Sequence, residues 1–243
     1  MKLSTLISNF LIAAFIAAPV FAEPLKATIQ HSENVAPVAP NLRAGSQFNR
    51  EELPKSNLNS KWFQIPQWMA GDWRRKEIFI KKFGQIQSSQ KDVRQHRYGY
   101  QTDAQGNIWH WVRTPYRVVT EQHNTVSYFI IKDEEILRQT KDSVSIKITW
   151  VTWVVNKTTG IINNVIQGVQ IDTYRPRGDG ILLADSDVAN YNQMGKKTTH
   201  QNWVWQDDLM VYYEPVDNFK GIDVKRLFFD YLASRHLESL IPR

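Results

Sequence analysis

The chain contains no cysteine. That excludes disulfides, thiol nucleophiles, iron–sulfur clusters and cysteine-ligated zinc, and leaves the fold to be held by its core. Histidine is sparse, with six in 243 residues. None stands at metal-ligand spacing from another histidine or a carboxylate on a recognisable helix, so no metal ligand and no cofactor is assigned. Gly-x-Ser-x-Gly turns, phosphate loops and dinucleotide fingerprints are lacking too, and no catalytic residue is assigned. Beyond residue 22 no apolar run approaches the about 20 residues that a spanning helix needs. Excess charge of one sign is slight, at +6. Its local clusters, Arg74-Arg75-Lys76, Lys81-Lys82 and Lys196-Lys197, are too thin a stripe for a nucleic-acid reader. They read as solvated strand faces; a weak contact with an anionic membrane surface is the other reading.

What is present begins with a leader. Met1 to Ala22 carries one charge, Lys2, then an apolar run from Leu6 to Ala18, and closes on Val20-Phe21-Ala22. This is the pattern of a cleaved secretory signal peptide, and it predicts a periplasmic or secreted protein starting at Glu23. Residues 23–59 carry Pro24, Pro37, Pro40 and Pro54 among polar residues, with Phe48 the one aromatic and no sustained period. They read as a flexible linker. Residues 60–243 form the folded domain, long enough to bury over about two-thirds of its unfolded surface.

Within that domain the patterning is strand after strand. Ser60 is placed to cap a short helical turn over Lys61 to Phe63 that Pro66 ends. Strands are expected over 72–83, 91–101, 108–120, 125–132, 135–140, 143–155, 161–174, 198–205 and 209–214. Arg175 to Gly180 is a break, and Asp185-Ser186-Asp187 reads as a polar turn that lacks the glycine and glutamate of a calcium loop. Val224, Leu227, Phe228, Tyr231 and Leu232 then share one helical face behind Asp223 as cap. One amphipathic helix over 223–240, packed on the outside of the sheet, is expected. Consecutive strands with short connections and no crossover helix make the fold class mainly β, an antiparallel up-and-down β-barrel with a C-terminal amphipathic α-helix.

Gly71-Asp72-Trp73 at the start of the first long strand, followed by a meander and a late helix, resembles the lipocalin and wider calycin barrels. The resemblance implies that Trp73 closes the barrel floor and that a basic residue, here Arg226, covers it. It rests on three residues and on element order over 60–240.

The chemistry lies in nine tryptophans. Trp109 and Trp111 alternate on one strand face with His110 opposite; Trp203 and Trp205 repeat the spacing, and Trp150 lies with Ile146 and Ile148. Paired indoles make a stiff apolar wall that keeps an N–H donor. His96, Arg97, Tyr98 and Tyr100 add polar partners, and Asn164, Gln170 and Asp172 a second polar face. A small apolar or amphipathic ligand inside an aromatic-lined barrel fits both sets. Two further readings stay open: a non-enzymatic envelope assembly protein whose exposed aromatic and basic surface binds a protein partner, and a barrel hydrolase or isomerase.

Overall fold

The computed structural model describes residues 31–55 and 61–242. The leader and Ser60 lie outside the described residues. An eight-stranded antiparallel sheet dominates, curled as a half-barrel. Its strands are β2 (Gly71–Lys82), β3 (Gln85–Tyr98), β6 (Tyr116–Glu121), β7 (Thr125–Gln139), β8 (Val144–Asn156), β9 (Ile162–Pro176), β10 (Ile181–Asn192) and β11 (Lys197–Tyr212). They run in the order β3-β2-β11-β10-β9-β8-β7-β6. The up-and-down order is therefore as expected, with β11 returning to pair with β2. Hydrogen-bonded closure into a full barrel does not occur among the described residues, because the chain between the edge strands β3 and β6 leaves for a sheet of its own. That second sheet, in the order β1-β5-β4, consists of β1 (Trp62–Ile65), β4 (Gln101–Thr102) and β5 (Ile108–Trp111).

Gly99 makes the departure. Its φ of +81° is open to glycine at no steric cost, and a Cβ there would meet Ile108 and Tyr213 at 2.9 Å. The kink sends Tyr98 into the core of the large sheet and Tyr100 into the core of the small one. After a short hairpin of β12 (Asn218–Phe219) and β13 (Ile222–Asp223) comes α1 (Val224–Ser234). Asp223 caps it, with Oδ1 accepting from Arg226 N at 2.9 Å. Val224, Phe228 and Leu232, spaced by four, are fully buried. They pack on Trp62, Trp109 and Trp111 of the small sheet, rather than outside the large one as expected. The helix also stops earlier than predicted: His236 takes φ +58°, and only a 3-10 turn, Glu238–Leu240, follows.

Three local expectations change. The expected helical turn over Lys61 to Phe63 is not formed: Trp62–Ile65 is strand, and the helical turn lies after Pro66, over Gln67–Met69; proline suits the start of a helix better than its interior. The pairs of short strands predicted over 125–140 and 198–214 are single long strands carrying bulges at Ile131/Asp133, Trp205/Asp207 and Leu209/Val211. Asp185-Ser186-Asp187 is the middle of β10, not a turn. Its residues favour turns in isolation, but β9 and β11 pair with the strand along nearly its whole length.

Residues of the stretch read as a linker pack on the sheet's outer side. Val38, Leu42 and Leu53 are buried with Val151, Trp153, Val155, Ile162 and Val165. Trp153 Nε1 donates to Leu42 O at 3.0 Å, and Gln167 Nε2 to Ala36 O at 3.1 Å. Three widely spaced apolar anchors show no period in the sequence, yet all three pack among outward side chains of the sheet.

Candidate functional site

The inward faces of β7 to β11 line up in rows, because cross-strand partners share a face. The first row holds Trp205, Ala184, Tyr174 and Val144, all buried at 3% exposure or less. The second holds Trp203, Ser186, Asp172 and Ile146. The third holds Val188, Gln170, Ile148 and Glu134, and the fourth Asn190, Gly168, Trp150 and Ile131. Packing loosens along this series. Trp203, Ile148, Trp150 and Ile131 are half-buried, whereas the first row is sealed. The concave face therefore grades from a filled floor to an open aromatic and aliphatic wall.

The floor carries a buried polar network. Arg75 Nε lies 3.1 Å from Asp207 Oδ1, Trp205 Nε1 donates to Asp207 Oδ2 at 3.0 Å, and the guanidinium stacks 3.8 Å above the Trp205 ring. His96 Nε2 stands 3.3 Å from the same carboxylate, and Asp92 Oδ2 is 3.5 Å from Arg75 Nη1. A bulge at Arg75/Glu77 keeps Arg75 and Ile78 on one face. Burial alone would raise the Asp207 carboxyl, but His96 and the Arg75 charge outweigh it and hold it below the usual range. Burial likewise opposes the Arg75 cation, and Asp207 more than offsets that.

A second chain of hydrogen bonds crosses the concavity. Tyr98 on β3 donates to Tyr174 on β9 at 2.8 Å, Tyr174 donates to Asp172 Oδ2 at 3.2 Å, and Gln170 Nε2 lies 2.9 Å from both oxygens of Asp172. In the sheet order β3 and β9 are separated by three strands, so this contact measures how far the sheet curls. Burial pushes both phenols well above their ordinary range, with Asp207 adding to Tyr98 and the facing phenol and Asp172 to Tyr174. Burial also raises Asp172, despite the groups that donate to it.

His110 and Glu134 complete the network. His110 Nδ1 accepts from Gly99 N at 3.2 Å, which leaves the proton on Nε2, 3.8 Å from Glu134 Oε1. The bulge at Ile131/Asp133 turns Glu134 inward. Burial, then Asp172 and Asp133, push Glu134 up to about 7; burial, then His96, pushes His110 down to about 3. Glu134 is thus a group that holds or releases a proton near neutrality.

Four buried polar atoms on this face have no hydrogen-bond partner among the described residues: Asp92 Oδ2 and His96 Nε2, which face the charges of Arg75 and Asp207, and Ser186 Oγ and Trp203 Nε1. The last two belong to directly paired residues of β10 and β11, in the second row, and Ser186 stands beside Asp172 and, against burial, helps to hold its carboxyl down. Buried groups are normally satisfied, so the indole N–H of Trp203 marks a place where an acceptor atom fits.

The predicted site residues divide in two. Trp150, Trp203, Trp205, Tyr98 and His96 share the concave face. Trp109, Trp111 and Tyr100 form the separate cluster under α1, where Trp109 Nε1 donates to Asp103 Oδ2 at 2.9 Å. Arg97 points away from His96 and binds Asp72 Oδ2 and Gly99 O, both at 2.9 Å. Trp73 is buried on the floor with Nε1 donating to Met69 O. Arg226, its expected cover, is 79% exposed beside Asp230. Asn164 is exposed, while Gln170 and Asp172 are inward. Glu134, Tyr174 and Asp207 were not singled out by the sequence; Arg75, read there as part of a solvated basic cluster, and Ser186, read as part of a polar turn, are both buried on this face, and only the alternation of a charged residue among apolar ones on β2 and β11 hints at it. Two surface hollows, of about 490 and 370 Å³, lie elsewhere and touch none of the indoles named above. Comparison with known protein families, with curated proteins and with solved structures returns no match.

Proposed function

We propose that the chain is an exported binding protein that holds a small amphipathic ligand on the concave face of the half-barrel. The leader supports export, and the graded wall supports an elongated ligand. The apolar body lies on Trp150, Ile148 and Ile131, and its polar end meets the second row. The observation that carries this reading is the unpartnered indole N–H of Trp203, in the second row beside Ser186 and Asp172. An indole N–H only donates, so the ligand atom is an acceptor. Asp172 and Glu134 stand in the same or the next row, which disfavours an anion. A neutral oxygen, as in an alcohol, ester or ketone, fits best. The lipocalin-like reading of the fold is compatible with this placement, since those barrels also take ligands on the inner sheet face.

Native mass spectrometry of protein purified from its source tests the reading. A co-purifying small molecule, lost from Trp150→Ala but kept by the exposed control Lys76→Ala, supports it. A bare chain throughout, with a stable protein partner in its place, favours the assembly reading.

A hydrolase or isomerase is favoured by one feature, the buried Glu134–His110 pair, whose acid titrates near neutrality. On that reading Glu134→Gln abolishes turnover of the bound molecule without releasing it.

A further inference from the structure

On the opposite face of the sheet, three donor atoms from distant parts of the chain converge. His31 Nε2 and His200 Nε2 each lie 2.6 Å from the same oxygen, Asp187 Oδ1. The two rings stand edge to face at 5.8 Å. Asp187 pairs with Asn202 and His200 with Ala189, so the two side chains are diagonal neighbours on β10 and β11. They face outward, since Ser186 and Val188 on either side of Asp187 face in. His31 comes from the N-terminal arm, and the arm is fixed there: Val35 N donates to Gly195 O at 2.8 Å, Lys197 N to Glu33 O at 3.2 Å, and Tyr191 Oη to Ser32 O at 2.9 Å. The His31 side chain is 1% exposed, Asp187 25% and His200 45%.

We propose that His31, Asp187 and His200 bind a divalent transition-metal ion that fastens the N-terminal arm to the β10–β11 hairpin. Two imidazole nitrogens and one carboxylate oxygen form the mixed nitrogen–oxygen donor set that Zn²⁺ takes, and late first-row ions such as Co²⁺, Ni²⁺ and Cu²⁺ share it. Ligand bonds of about 2.0–2.2 Å need the nitrogen–oxygen separations to open beyond 2.6 Å. Asp187 is partly exposed and turns about its own side-chain bonds to allow it. His200 borders solvent, so a fourth position on that side is open to water. Three protein ligands with one open position is a common arrangement for this ion. The six histidines show no such motif in the sequence, because His31, Asp187 and His200 are brought together only by the strap of the arm across the hairpin. The site shares no residue with the concave face.

The test uses purified protein without a histidine tag, stripped with EDTA and titrated calorimetrically with Zn²⁺. One ion per chain is expected, with affinity falling roughly tenfold or more in His200→Ala and Asp187→Asn and unchanged in the controls His123→Ala and His236→Ala. Hydrogen exchange gives the second readout: Zn²⁺ slows exchange at the Val35 and Lys197 amides of wild-type protein but not of Asp187→Asn. No binding by the wild type, or undiminished binding in His200→Ala, overturns the proposal.

Discussion

Trp150 lies flat against Gly168, its register partner on β9, so closely that a Cβ at Gly168 would come within 2.1 Å of the indole. The missing side chain is what lets the ring cover its neighbour strand and form the open wall. Gly168→Ala forces the ring away and is expected to cost about 1–3 kcal/mol. In urea unfolding, Trp150→Ala should then be less harmful in the Gly168→Ala background than alone, since the two share one space. Strict additivity would contradict the contact.

Arg75 and Asp207 form a buried ion pair at the floor, with Asp207 fully enclosed. Asp207→Ala strands the cation and is expected to cost about 3–5 kcal/mol. A joint Arg75→Met and Asp207→Leu replacement should be milder than Asp207→Ala alone. The neighbouring Lys76–Asp208 pair is exposed, so Lys76→Ala should stay within about 0.5 kcal/mol of wild type. Unfolding midpoints with unchanged slopes measure all three.

Glu134 gives stability a pH dependence of definite sign. Its folded pKa stands near 7 against an ordinary 4.5. Between those values the folded state keeps a proton that the unfolded chain has lost, so stability falls as pH rises through the window. His110 acts oppositely: held near 3 against 6.5, it withholds a proton that the unfolded chain takes up, and stability falls as pH drops through that range. Glu134→Gln removes the first effect alone. The stability of the variant relative to wild type should therefore rise from pH 5 to pH 8 by at most about 3 kcal/mol. A pH-independent difference would show that Glu134 ionises normally.

The arm is part of the fold. Leu53 is 2% exposed in the outer cluster, and Leu53→Ala is expected to cost about 2–5 kcal/mol. Limited proteolysis should cut residues 31–55 sooner in that variant than in wild type. Equal cutting would mean that the arm contributes nothing.

The strands were legible wherever alternation was regular. Trp150, Ile146 and Ile148 do share a face, with Trp153 on the other, and Asp223 does cap the helix. The misplacements have physical causes. β10 hides because Asp185, Ser186, Asp187 and Asn190 are turn formers that pairing on both sides overrides. Bulges broke two long strands into apparent pairs, and a bulge also hid Glu134 by shifting it from one face to the other. Gly99 separated Tyr98 from Tyr100, which simple alternation joins. The arm has no period because its anchors answer to another surface. Curl, which brings Tyr98 to Tyr174, depends on the whole sheet and leaves no mark in any one segment.

On the proposed function, rows of the concave face hold an amphipathic molecule by a neutral oxygen. Tryptophan emission of the purified protein, titrated at pH 8 with 1-decanol and with decanoate, reads this out. Saturable binding of the alcohol, weaker binding of the carboxylate, and roughly tenfold or greater loss of alcohol affinity in Trp150→Ala are expected. A flat titration for the alcohol, or equal affinities in wild type and Trp150→Ala, would contradict it.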